Sequence, residues 1–211
     1  MRHGQLIFAA AGALLIGACS ETDVEAARRR NETAQAAQAE QLASALPPEA
    51  SCRRTVLKNP LFGIADPAPI AGISGAIPYS ITGAGGPQAM WAWRSASEVT
   101  PRWERLEVPS AVYLSAGQAI SQADLKLPAG QWRLVVGAAV AGDRPAGLRM
   151  ELEGDPGGPF EIEVLGPPTL HVAEINLSEG ADRLILTGLG PGEVKLLMVC
   201  LSPIEGGQPP S

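Results

Sequence analysis

The chain has 211 residues, with 16 Lys and Arg against 22 Asp and Glu and a formal charge of −6. The acidic balance and the lack of a concentrated basic patch argue against nucleic acid as a partner, because phosphate binding needs clustered cations. Glycine (24) and proline (19) are plentiful while only 4 % of residues are aromatic, so many turns between short strands are expected and every tryptophan carries weight.

Residues 1–18 carry one charged side chain, Arg2, followed by an apolar run from Gln5 to Ala18. That run is shorter than the roughly 20 residues a bilayer span needs, and it reads as the core of a signal peptide. Ile16-Gly17-Ala18-Cys19 resembles the lipobox of bacterial lipoprotein signal peptides. The resemblance implies cleavage before Cys19, a diacylglyceryl thioether on its sulfur, acylation of its new amino group and hence a lipid anchor. The other readings are an ordinary secretory signal cut near Ala18 and a short uncleaved helix with an incidental cysteine. Ser20 stands where an inner-membrane retention signal would place Asp, so the same resemblance implies the outer membrane of a bacterial envelope, facing the periplasm or the cell surface.

Residues 19–48 form a spacer. The stretch 21–46 lacks Gly, Pro and aromatic residues and is rich in Ala, Glu, Gln and Arg, which are good helix formers. Thr22 and Glu25 have capping-box spacing, and Pro47-Pro48 ends the run. A helix over the whole stretch would reach about 39 Å. Its apolar residues are mostly alanines, which suits an exposed stalk, an alanine-faced helix that pairs with another, or a flexible tether.

Residues 49–203 change to period two. Leu148, Met150 and Leu152 alternate with Arg149, Glu151 and Glu153, and Phe160, Ile162 and Val164 alternate with Glu161 and Glu163, the pattern of half-buried antiparallel strands. "QWRLVVGAAVA" and "EVKLLMVCL" are apolar on both faces, as central strands are. Gly- and Pro-rich turns separate them, and the fold class expected is a mainly β, antiparallel β-sandwich. Residues 204–211 read as a loose tail.

Two cysteines remain beside Cys19. Cys52 and Cys200 stand near the two ends of the domain, and in an oxidising compartment they are expected to pair. Closing a loop of almost 150 residues would stabilise the fold by roughly 4–5 kcal/mol on the chain-entropy model, and would set the first and last strands side by side. Zinc is the weaker alternative, because no close-spaced pair exists and His171 is the one histidine after the signal peptide; two buried free thiols are the other.

"LPAGQWRLVVGAAV" and "INLSEGADRLILTG" resemble segments of the galactose-binding-like jelly-roll domains, which include carbohydrate-binding modules. The resemblance covers about residues 118–201, implies a jelly-roll sandwich that binds a glycan, and has two departures. "SCRRTVLKNP" offers no match to the acidic residues that hold calcium in such modules, and "EVKLLMVCL" lacks the Asp often found in the last strand.

Trp91, Trp93 and Trp103 are the candidate stacking platform, since indoles cover the C–H faces of sugar rings; core filling is the competing role. Arg94, Glu98, Arg102, Glu104 and Arg105 surround them, and Arg94 and Arg102 are candidate ligand donors. Trp132 opens an apolar strand and reads as core. His171 has no nucleophile motif around it, the Glu151/Glu153 and Glu161/Glu163 pairs alternate with core positions, and "GAGGP" at 83–87 lacks the Lys of a phosphate loop. Asp155 alone does not make a calcium site. The sequence therefore leads to a non-catalytic binding protein with no cofactor and no metal. Its expected partners are the membrane, through the lipid anchor, and a glycan or envelope protein; the alternative is an assembly subunit with no small ligand.

Overall fold

The computed structural model describes residues 25–27, 29–34, 36–37, 54–66, 73–78, 89–104 and 110–204. The signal peptide, Cys19, Cys52, the 83–87 turn and Arg105 lie outside the described residues. Residues 25–27, 29–34 and 36–37 are helical, with an i,i+4 ion pair between Glu25 and Arg29 (3.6 Å). Ala27, Asn31 and Ala34 share one face and are partly covered, and Asn31 Nδ2 donates to the Ala65 carbonyl at 3.2 Å. At that point the spacer touches the domain instead of standing clear of it.

Among the described residues ten strands follow: β1 (Arg94–Ser95), β2 (Arg102–Glu104), β3 (Ala111–Leu114), β4 (Ala119–Gln122), β5 (Gly130–Ala141), β6 (Ala146–Glu153), β7 (Phe160–Val164), β8 (Thr169–Leu177), β9 (Arg183–Leu189) and β10 (Glu193–Pro203). They form two five-stranded antiparallel sheets. The first has the order β1-β4-β9-β6-β7 and the second β2-β3-β10-β5-β8, the β-sandwich that the alternation predicts. The chain crosses between sheets repeatedly, so residues close in sequence are sent to opposite sides of the molecule.

The inner faces supply the core. Ile120, Leu148, Met150, Leu152, Leu184 and Leu186 of the first sheet meet Val112, Leu114, Trp132, Leu134, Val136 and Leu201 of the second. Each fully buried large side chain contributes about 1.5–3 kcal/mol. On β6 the burial alternates as the sequence pattern requires, and Glu151, Glu153, Glu161 and Glu163 face solvent. β5 and β10 are the long central strands. Their register shifts between Leu196 and Met198, and this bulge keeps Val199 and Leu201 inward while Met198 and Cys200 join Val135 and Leu61 in a small outer cluster.

The segment 54–62 extends the second sheet beside β10. Val56 N–H donates to the Leu201 carbonyl (2.8 Å) and Val199 N–H to the Pro60 carbonyl (2.9 Å), while Thr55 Oγ1 accepts from Leu201 N–H (3.1 Å). The beginning and end of the domain are therefore neighbours, as the cysteine spacing suggested. Cys200 is buried.

Candidate functional site

Trp93 and Trp103 do not form a stacking platform, because both are wholly buried. Trp93 Nε1 donates to the Asn59 carbonyl (3.2 Å) and Trp103 Nε1 to the Phe62 carbonyl (2.8 Å), and the Phe62 and Trp93 rings lie 5.5 Å apart. An indole with its N–H satisfied inside the core is more stable there than in water. Trp91 is partly covered and does not share a strand face with Trp93, because Ala92 between them has a left-handed backbone (φ 67°). Trp132 is core, as expected, with Nε1 on the Pro128 carbonyl (3.1 Å).

The two candidate arginines are on different sheets. Arg102, on β2, bonds Glu104 (2.9 Å) and Glu193 (3.0 Å), and its guanidinium sits 3.8 Å above the Tyr113 ring. Tyr113 Oη donates to Glu104 (2.8 Å). Burial first, and then that carboxylate, push the phenol up to about 12, so it stays protonated. These groups saturate one another as a surface network. Glu98 is exposed beyond the end of β1.

Arg94 belongs to a groove that the sequence reading did not find as a unit. Strand register lines up Arg94, Ser121 and Ile185 across β1, β4 and β9, and Ala119 with Thr187 in the next outward row. These positions alternate with inward Ile120, Leu184 and Leu186, so the core pattern itself turns them to the outer face. Ser74, Gly75, Ser95 and Ala96 form one wall and Arg183 stands on the other, around an open groove of 590 Å³. Its floor is low because Gly117, Ala119, Ser121 and Ala123 are small. Gly75 (φ 64°) brings its carbonyl to Ser95 N–H at 2.7 Å, an approach in which a Cβ would press on the Ser95 carbonyl at 3.1 Å.

Arg94 is held in place. Nη1 donates to the Met90 (3.2 Å) and Trp93 (2.9 Å) carbonyls, and Nη2 to Asp66 (3.1 Å). Arg183 pairs with Glu153 at 3.1 Å. Ser121 and Thr187 add hydroxyls. The lining thus offers guanidinium N–H donors and hydroxyl groups that donate and accept, and among the described residues no aromatic ring.

His171 lies on β8 opposite Val136. Its Nε2 is buried with no hydrogen-bond partner among the described residues, and burial lowers its pKa below the usual imidazole value. Asp155 accepts from Gly157 N–H (3.2 Å) as a turn residue. Among the described residues no group of three or more His, Cys, Asp or Glu side chains is placed to hold a metal ion.

No protein-family model matches the chain, and a search of curated proteins gives no match. Among solved structures, the chain is similar to the C-terminal CBM6 of LamC, a laminarinase from Zobellia galactanivorans (18 % identity, 51 % of this chain and 90 % of that one, TM-score 0.41). It is also similar to CsCBM6-3 from Clostridium stercorarium in complex with cellobiose (17 %, 52 % and 86 %, TM-score 0.39). A third is TmCBM61 in complex with β-1,4-galactotriose (16 %, 72 % and 99 %, TM-score 0.43).

Proposed function

We propose that this is a non-catalytic, lipid-anchored envelope protein whose β-sandwich binds a glycan in the groove of the first sheet. The groove carries the proposal: 590 Å³ of open space over a floor of small residues, with Arg94, Arg183, Ser121 and Thr187 turned toward it. Such a surface suits a hydroxyl-rich chain laid across strands and recognised by hydrogen bonds rather than by ring stacking. The lipobox supports the anchor, and with it a place in the outer membrane.

A second reading, a protein partner, is favoured by β8. This nine-residue strand is at the edge of its sheet, and Leu170 and Val172 on its outer face are 39 % and 47 % exposed. An edge strand with apolar side chains is a template for pairing.

The test is binding of the full-length protein to a panel of neutral and acidic polysaccharides by affinity electrophoresis, beside Ser121→Trp, which fills the groove floor. Saturable retardation lost in the variant is expected. Silence across the panel, or retardation that Ser121→Trp leaves unchanged, would move the function away from the groove and toward β8.

A further inference from the structure

We infer that the ligand of the groove is an extended polyanion, a uronate-bearing polysaccharide, with carboxylates received by Arg94 and Arg183; this rests on the glycan reading of the groove. Among the described residues that line it, these two are the charged ones. The chain as a whole is acidic, so a groove whose charged lining is cationic runs against the average of the molecule.

The acidic side chains nearby are accounted for. Asp66 is behind Arg94 with its side chain 10 % exposed and does not line the groove. Glu153 and Glu151 are on β6, past the Arg183 wall, and each has an arginine beside it. Arg94 commits three N–H donors to Met90, Trp93 and Asp66, which among the described residues leaves Nε and one Nη2 proton of the five that a guanidinium carries. Those protein contacts fix the plane of the fork before any ligand arrives, which lowers the entropy lost on binding. Arg183, with a single carboxylate neighbour among the described residues, keeps more donors open.

The open groove, with Arg94 and Arg183 on different strands of its lining, suits an extended chain. From Arg94 to Arg183 the path crosses two strand intervals and runs two residues along β9, about 12 Å between Cα atoms. Each guanidinium is held by its own partners, Arg94 by Met90, Trp93 and Asp66 and Arg183 by Glu153 on β6, so successive acidic rings of a polymer can meet the two forks separately. Ser121 lies between the two arginines and Thr187 stands on β9 on the other side of Ile185 from Arg183, and their hydroxyls line the groove where ring hydroxyls would meet them. The planar fork matches a planar carboxylate through two parallel hydrogen bonds.

The experiment compares polygalacturonate with the same polymer after carboxyl reduction, using the full-length protein in affinity electrophoresis at fixed ionic strength. The acidic polymer is expected to bind at least tenfold more tightly than the reduced one, and Arg183→Gln to lose roughly tenfold. Arg183 is half-exposed, so this variant keeps the wild-type thermal midpoint; Arg94→Gln should lose a similar factor. Equal binding of both polymers would overturn the anion inference while leaving the groove reading intact. Polygalacturonate binding that Arg183→Gln does not change would overturn it as nonspecific. Failure of these and of every neutral polysaccharide would overturn both.

Discussion

Asn59 is wholly buried with a left-handed backbone (φ 50°), a conformation that Asn tolerates better than most residues. Its Nδ2 donates to the Ile64 (3.0 Å) and Trp91 (3.1 Å) carbonyls, and Oδ1 accepts from Ile64 N–H (3.0 Å). Through its own carbonyl it also receives Trp93 Nε1. Asn59→Ala removes three side-chain bonds from a dry site and should cost about 2–4 kcal/mol, read as a lower urea midpoint at unchanged slope. A loss under about 0.5 kcal/mol would mean that water replaces the amide. Nothing in "KNPLF" announces this role, because its Trp91 and Trp93 partners come from a segment more than 30 residues away. The tryptophans misled for a related reason: "MWAWR" looks like alternation, and only the turn at Ala92 breaks it.

At the scale of elements, β5, β6, β7, β9 and β10 were legible because their apolar periodicity is long and bounded by Gly and Pro turns. The groove was not legible as a unit. Ser121, Arg183 and Thr187 are ordinary polar positions in "AISQ" and "RLILTGL", and what joins them to Arg94 is register between strands that are distant in sequence. Once β4 and β9 are recognised as amphipathic, their outward positions are the signal that could have found it. The 54–62 segment belongs to this scale too. Its hydrogen bonds to Val199 and Leu201 lay this segment alongside the strand that carries Cys200, the neighbourhood that a Cys52–Cys200 bridge would require. Non-reducing peptide mapping should recover a Cys52–Cys200 linked pair, and Cys52→Ser should lower stability by roughly 2–5 kcal/mol. Recovery of both as free thiols would dismiss the bridge.

For the whole molecule, the chain alternates between sheets, and this separates Arg94 from Arg102 although eight positions part them in sequence. The first joins a groove, and the second is locked into an ion-pair network on the opposite face. Sequence proximity grouped them, and the crossovers undo the grouping. Tethering has its own check: Cys19→Ser should abolish incorporation of labelled fatty acid and release the protein from membranes, and continued labelling would refute the lipobox.

The central claim is that the first sheet carries the ligand, and amide hydrogen exchange with and without polygalacturonate tests it most directly. Protection should rise on β4 and β9, around Ala119–Gln122 and Arg183–Thr187, and stay unchanged on β8. Protection confined to β8, or none anywhere at saturating polymer, would contradict the account.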